Sequence, residues 1–175
     1  MDQFASALGR HGYALLLDCS NLQYRYLPFP DQLVIAVIDS GTSRDLSATP
    51  YNLRRQEAES GHPRRMRHVE SELERVTAFA EALEAGQTSS LGHLLKESHA
   101  SLRDDFEVST PEVDAIVERA WGFPGCLGAR IMGAGFGGSV LALLELGTES
   151  GLEEAVGRPA LICQTADGAF ARSES

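Results

Sequence analysis

The chain has 175 residues, of which 43% are hydrophobic and 23% are charged. This composition is typical of a globular protein, and the length suffices for one domain with its own core or for part of a larger two-domain protein. Fifteen basic and twenty-five acidic side chains give a formal charge of −10, which argues against nucleic acid or an anionic membrane as a partner.

The first quarter of the chain predicts a short helix followed by strands. Residues 2–8 carry apolar side chains four positions apart, as on one face of a helix. Residues 13–18, 23–27 and 33–38 are short apolar or aromatic runs that predict three strands, the last of them buried on both faces. A polar loop at residues 39–43 follows this third strand, a position where binding residues are often found.

The middle of the chain changes to helical periodicity. Apolar residues recur at helical spacing in two stripes: Val69, Leu73, Val76, Ala80 and Leu83, closed by Gly86, and then Leu91, Leu94, Leu95, Leu102 and Phe106. A third helix has a defined start, because Thr110 can cap it while Pro111 occupies its first turn. We expect this helix to end at Gly122.

The last third of the chain predicts strand, glycine-rich loop and strand over residues 127–146. A short helix at residues 149–156 and a final strand at residues 160–163 follow. Together these elements predict an α+β domain in which helices pack on one face of a mainly antiparallel sheet.

The glycine-rich loop has two interpretations. Four of the six residues from Gly133 to Gly138 are glycine, so the loop can take positive φ and expose a row of N–H groups that suits phosphate. A tight β-hairpin explains the same composition. Dinucleotide binding is disfavoured because a strand and not a helix follows the glycines, and no Lys-Ser or Lys-Thr completes a P-loop.

The cysteines and the chain's apolar runs bear on its compartment. Cys19, Cys126 and Cys163 are widely spaced and have no His or Cys neighbour at metal-ligand spacing, so we expect neither structural zinc nor a disulfide framework. We find no secretory leader and no run of about 18 apolar residues. A cytoplasmic location is therefore expected, without a membrane span.

Several polar residues have a structural and a functional interpretation. His68, His93 and His99 lie on predicted helices at spacings that do not make a metal site, which favours a solvated or core-edge position. The basic run Arg64–His68 could attract phosphate, but we expect a solvated helix start countered by nearby glutamates: Glu70, Glu72 and Glu74. Tyr51 could stack on a sugar, although its surroundings favour a core-edge aromatic.

Five segments in this order resemble the later part of galactokinases of the GHMP kinase superfamily: MDQFASALGRHGYALLLDC, DSGTSRDLSATPYNLRRQE, RRMRHVESE, ESHASLRDDFEVSTPEVD and GARIMGAGFGGSV. The resemblance implies ATP-dependent phosphorylation of the anomeric hydroxyl of galactose, with Mg²⁺ bridging the nucleotide phosphates. It also implies that Asp2 accepts the sugar hydroxyl proton, that Tyr51 contacts the sugar, and that the loop Gly133, Ala134, Gly135, Gly137 and Gly138 lies close to the nucleotide. The two interpretations of the loop then merge into a hairpin beside the phosphates.

The sequence also departs from the family pattern. It lacks the sugar-signature segment and the Ser-rich phosphate loop that such enzymes carry ahead of the MDQ motif. The stretch between Gln56 and Arg64 is shorter than expected, and Met132 stands where the family has Thr, while Ser139 replaces a frequent Cys. Because Met1 falls on the family's internal methionine, we hypothesise a truncated product, a miscalled start or one half of a split enzyme.

These departures set the expectations for domains, partners and activity. We expect residues 1–31 to be the remnant of an N-terminal domain with its interface, and residues 32–175 to be the GHMP kinase C-terminal domain. Alone, the chain is expected to show little kinase activity and to self-associate through exposed apolar surface, with a separately encoded N-terminal half as a possible partner. Two alternatives remain: a non-catalytic fragment or sugar-responsive regulatory module, and a kinase for a related sugar.

Overall fold

The computed structural model describes residues 1–42 and 50–169. Its first half contains α1 (Asp2–Leu8), β1 (Tyr13–Leu17), β2 (Tyr24–Pro28), β3 (Leu33–Asp39), α2 (Tyr51–Glu59) and α3 (Pro63–Glu84). Its second half contains α4 (Thr88–Asp104), α5 (Pro111–Trp121), β4 (Cys126–Ile131), β5 (Ser139–Glu145), α6 (Leu152–Val156) and β6 (Ala160–Cys163). Residue 43 of the predicted polar loop lies outside the described residues.

The strands form two antiparallel sheets. β1 and β2 pair with each other as a separate hairpin, while the other four lie in the order β4-β5-β3-β6. Every neighbouring pair in the larger sheet is antiparallel. The predicted α+β class with a mainly antiparallel sheet is therefore confirmed.

Alternate residues of the central strands belong to two hydrophobic clusters, because successive side chains of a strand point to opposite faces. On β5, Val140, Ala142 and Leu144 pack with α5 and α6. Leu141 and Leu143 lie in the second cluster, with the later part of α3, with α4 and with the β1-β2 hairpin. Helices therefore pack against both faces of this sheet and not against one face as predicted, and the β1-β2 hairpin covers part of the second face.

The predicted start and end of α5 are confirmed. The Thr110 hydroxyl accepts a hydrogen bond from the backbone N–H of Val113 over 3.3 Å, and Pro111 occupies the first turn. Gly122 is the C-cap of the same helix. Local chemistry therefore determines both ends of this element.

Two features of the helical region differ from the expectation. The sequence did not predict α2, and α3 begins at Pro63, well before its apolar stripe. The stripe itself is buried only in part, because Leu73 is 67% exposed and Val76 is 43% exposed. Only the later turns of this helix contribute residues to a buried cluster.

The basic run at the start of α3 is only in part the solvated helix start that we expected, because Arg64 and Arg67 are exposed whereas Arg65 is not. Arg65 is only 3% exposed. Its guanidinium forms ion pairs with Glu57 at 2.7 Å and with Glu107 at 2.5 Å. The counter-charges of Arg65 are thus carboxylates of α2 and of the turn after α4, and not the glutamates that follow the basic run in α3. Helix packing brings these carboxylates next to Arg65.

None of the helices in the described ranges combines the length and apolar character that crossing a bilayer requires. The three cysteines are free thiols.

Candidate active site

The glycine-rich loop connects β4 to β5 as a hairpin. Residues 132–138 join two antiparallel strands whose register pairs Ile131 with Val140. Five of these residues have positive φ: Gly133, Gly135, Phe136, Gly137 and Gly138. Such a run of left-handed backbone explains the glycine content, because most side chains are strained in that region. The hairpin interpretation of the loop is confirmed.

Two neighbouring segments hold this loop in place. The N–H of Phe136 donates to the carbonyl oxygen of Val108 over 2.6 Å, just after α4. On the other side, the carbonyl of Gly138 accepts from Ser40 at 2.9 Å, and its N–H donates to the carbonyl of Thr42 at 3.3 Å. Contacts to the ends of α4 and β3 therefore determine the shape of the loop.

Because of these contacts, fewer N–H groups of the loop are left for a phosphate than the sequence predicts. Phe136 and Gly138 already donate to carbonyl oxygens of the chain. Within residues 1–42 and 50–169, no backbone hydrogen bond is recorded for Gly133 or Ala134. The first turn of the loop is thus the part whose N–H groups can donate to a ligand oxygen.

Gly133 and Ala134 face a cavity of about 320 Å³ that Tyr51 also lines. Tyr51 is the first residue of α2 and is 37% exposed. Its ring packs edge-on against Phe106, with ring centroids 6.5 Å apart. The rest of the wall comes mainly from α3 and the turn after α4: His68, Val69, Glu72, Leu73, Val76, Leu102 and Val108. The structure therefore brings together Tyr51 and the glycine loop, two of the sequence-predicted site elements.

Glu72 is the acidic group in this wall. Its carboxylate accepts a hydrogen bond from the Ser98 hydroxyl at 2.6 Å and forms ion pairs with Arg75 and Arg130, both at 2.8 Å. Burial on its own would raise the pKa of Glu72, but the Ser98 hydroxyl and the two arginines lower it below the ordinary value. Glu72 is therefore an ionised, fully partnered carboxylate that shapes the wall.

His68 lies beside Tyr51's neighbour Phe106 in the same wall. It is buried, its Nδ1 is 3.0 Å from the Ser101 hydroxyl, and its ring is 4.6 Å from that of Phe106. Burial lowers the pKa of His68, so the ring is neutral near pH 7.

A second buried histidine supports the end of β4, next to the glycine loop. The backbone N–H of Ile131 donates to Nδ1 of His99 over 3.3 Å. Because Nδ1 accepts this bond, the proton of the neutral ring is on Nε2. Among the described residues this buried nitrogen meets no full hydrogen-bond partner, and the nearest carboxylate oxygen, of Asp114, lies 3.2 Å away. Burial lowers the pKa of His99. Of the predicted helical histidines, only His93 is exposed.

Asp2 is placed apart from this cavity. It lies exposed in the first turn of α1 and is not among the residues that line the cavity shared by Tyr51 and Gly133. Met132, at the start of the glycine loop, is 36% exposed and lines the neighbouring apolar cavity. The described part of the chain thus assembles one wall around Tyr51 and leaves Asp2 outside it.

Sequence reasoning missed most of the residues that build this wall. The sequence indicates Glu72 only as a counter-charge for the basic run, and nothing in it distinguishes Val108, whose carbonyl anchors the glycine loop. No sequence pattern marks a backbone carbonyl as an anchor. The available signal in the sequence was the pair of polar residues Ser98 and His99, which contact Glu72 and the end of β4.

Comparisons with known proteins support the assignment of this domain. Residues 79–159 match the family model described as GHMP kinases C terminal. The galactokinase of Roseiflexus sp. (strain RS-1) is 37% identical over 210 residues, covering 96% of this chain and 54% of that protein. The galactokinase of Chloroflexus aggregans is 41% identical, covering 83% of this chain and 45% of the relative. The chain thus spans about half the length of the curated relatives it matches.

Solved structures agree with this relationship. The crystal structure of Lactococcus lactis galactokinase complexed with galactose matches with a TM-score of 0.81 and 29% identity, over 95% of this chain and 53% of that one. The L. major mevalonate kinase, at 22% identity and a TM-score of 0.72 over 88% of this chain and 50% of that one, shares the fold. The chain therefore contains a GHMP kinase C-terminal domain and is homologous to galactokinases.

Proposed function

We propose that this chain forms the glycine-loop side of a galactokinase-type active site, which transfers the terminal phosphoryl group of ATP to the anomeric hydroxyl of galactose. The observation that carries the proposal is the cavity shared by Tyr51, Gly133 and Ala134 in a chain homologous to galactokinases. One structural relative is described as a complex with galactose.

Each site residue has a physical role in this proposal. Tyr51 offers a partly exposed ring and hydroxyl to the sugar, while Gly133 and Ala134 turn N–H groups toward phosphate oxygens. Phosphoryl transfer depends mainly on positioning and charge stabilisation, so a loop held rigidly by Val108 suits the task. Asp2 would accept the proton of the attacking hydroxyl. Its role rests on the MDQ motif and is a separate part of the proposal, because Asp2 lies outside the cavity.

ATP and Mg²⁺ belong to the proposed reaction as its donor and its metal. Across the described residues, no three His, Cys, Asp or Glu side chains are grouped so that they could hold a metal ion. We therefore assign none of these described residues to Mg²⁺. The separate β1-β2 sheet supports the proposed boundary between residues 1–31 and the C-terminal domain at residues 32–175.

The test is galactose phosphorylation by the purified chain, alone and co-expressed with the complementary N-terminal half of the Roseiflexus galactokinase. We expect turnover only with both halves. Asp2→Asn should lower kcat by about 100-fold or more, the usual range for losing a general base, while Asp31→Asn, at an exposed carboxylate between β2 and β3, should not. Tyr51→Phe should raise KM for galactose, with Tyr24→Phe as its control. Equal activity of Asp2→Asn and the unmodified chain, each in an active complex with the complementary half, would refute the role of Asp2.

A second candidate is a galactose-binding module without chemistry, and one observation favours it: Asp2 does not line the Tyr51 cavity. Calorimetric titration of the chain with galactose separates the two candidates when combined with the kinase assay. Binding that Tyr51→Phe weakens, together with no phosphorylation in the presence of the complementary half, would support the binding module.

A further inference from the structure

The segment that follows β6 returns across the molecule to α1. We call residues 164–169 the C-terminal strap. Its backbone N–H groups at Gly168 and Ala169 donate to the carbonyl oxygens of Gly9 and Ser6, each over 2.7 Å. The strap therefore satisfies carbonyls at the end of α1 that have no partner inside the helix.

Two side chains of the strap extend this contact beyond α1. The Asp167 carboxylate accepts the backbone N–H of His11 at 2.9 Å, and the Thr165 hydroxyl oxygen accepts that of Gly12 at 2.8 Å. These donors lie in the turn between α1 and β1. Four hydrogen bonds thus join parts of the chain that are more than 150 residues apart.

The close approach of the two segments also depends on glycine. A Cβ atom at Gly168 would lie 2.5 Å from the carbonyl oxygen of Ala7, and one at Gly9 would lie 3.0 Å from that of Ala166. Contacts of 2.5 Å do not occur without movement of the backbone. The strap and α1 therefore pack backbone against backbone.

Little else holds α1 in position. The helix has only seven residues and none of them is buried, and helices this short are not stable on their own. Apart from the strap, its recorded hydrogen bond to the rest of the described chain is from the Tyr26 hydroxyl to the carbonyl of Leu8, at 2.8 Å. The orientation of α1 depends on what binds its end.

We propose that the C-terminal strap is a positioning element for Asp2, with Thr165 and Asp167 as the positioning residues. The strap fixes the end of α1 and the turn after it, and α1 carries Asp2 in its first turn. This inference rests on the proposed function, because it assigns the strap to the residue proposed as the base. The residues that position the proposed base therefore lie near the opposite end of the sequence.

Amide hydrogen exchange of the full chain, measured by NMR, tests the structural part of the inference without any activity. In Thr165→Val/Asp167→Ala, we expect the amides of α1, His11 and Gly12 to exchange about fivefold faster or more, since each net hydrogen bond changes an equilibrium by about that factor. Amides of α5 should be unchanged. Gly168→Ala, which displaces the backbone itself, should produce the same pattern.

Matched controls keep this result specific. Thr165→Ser/Asp167→Asn retains both acceptor oxygens and should restore the exchange rates of the unmodified chain. Glu154→Ala changes an exposed carboxylate that forms no hydrogen bond or ion pair with residues 1–42 or 50–169, and it should have no effect. Unchanged exchange in α1 for Thr165→Val/Asp167→Ala, or equal acceleration in α5, would overturn the inference.

The kinase assay with the complementary half then tests the link to Asp2. Thr165→Val/Asp167→Ala should lower kcat at least fivefold while KM for galactose stays within about twofold, and Thr165→Ser/Asp167→Asn should recover kcat. An unchanged kcat in an active complex would overturn the inference. No turnover by the unmodified complex would instead overturn the proposed function, and the exchange experiment would still decide whether the strap positions α1.

Discussion

Replacing Gly135 by alanine tests how the glycine loop is held. Gly135 has φ +79°, and an added Cβ would lie 2.3 Å from the carbonyl oxygen of Val108 and 2.6 Å from its Cβ. That carbonyl also accepts the N–H of Phe136. The substitution therefore meets backbone at the point where the loop is anchored, and it cannot be relieved by rotating a flexible side chain.

The expected cost has two parts. Left-handed backbone costs a non-glycine residue about 1–2 kcal/mol. Forcing an extra carbon into a close-packed contact costs about 1–3 kcal/mol more. Gly135→Ala should therefore lower the free energy of unfolding by about 2–5 kcal/mol. Gly86→Ala is the matched control, because Gly86 has φ +66° and nothing within 4 Å of its added Cβ, so it should lose only the first part.

Urea unfolding followed by fluorescence measures the difference. Trp121 is the only tryptophan of the chain, and its indole N–H donates to the carbonyl of Ala129 in β4, so its emission reports on the sheet beside the loop. We expect Gly135→Ala to unfold at clearly lower urea concentration than Gly86→Ala. Equal free energies of unfolding for the two variants would refute the claim that Val108 confines the loop.

Three further predictions concern buried groups. Arg65→Met should lower the free energy of unfolding by about 2–3 kcal/mol. This is below the usual cost of breaking a buried ion pair, because the carboxylate partners of Arg65 are partly exposed. Arg64→Met removes an exposed arginine and should cost less, and thermal melts of the two variants measure the difference. Because burial lowers the pKa of His99 below 6.5, the unfolded chain binds a proton that the folded chain excludes. Stability present above about pH 6.5 should thus be lost as the pH falls, and His99→Gln should flatten this slope in urea titrations; an unchanged slope would contradict it. Burial raises the pKa of Cys126 to about 11, so iodoacetamide at pH 8 should alkylate it more slowly than the other two thiols, as mass spectrometry would show.

Local patterns were enough to predict most elements. The strands of the larger sheet are short apolar runs bounded by turn residues, and α5 carries its own cap at Thr110 and Pro111. The glycine loop was correctly interpreted as a hairpin because an apolar strand follows it directly. These features depend on residues that are neighbours in sequence, so the sequence alone contains the physical information.

The candidate site was predictable only in part. The resemblance to galactokinases named Tyr51 and the glycine loop, and the structure brings those two together in one cavity. The sequence did not identify Val108 as the anchor of the loop, or Glu57 and Glu107 as the partners of Arg65. Each of these contacts joins residues on different elements, and helix or strand propensity carries no information about which elements pack against each other.

The sequence by itself thus determined the kinds of element, their order and the family to which the chain is related. Only the tertiary structure decided the strand order β4-β5-β3-β6, the exposure of Leu73 on a helix that reads as amphipathic, and the return of the C-terminal strap to α1. The reason is the distance along the sequence between the residues in contact. A periodic pattern reports the surroundings of a residue within a few turns of chain, whereas these features depend on contacts between residues that may be more than 150 positions apart.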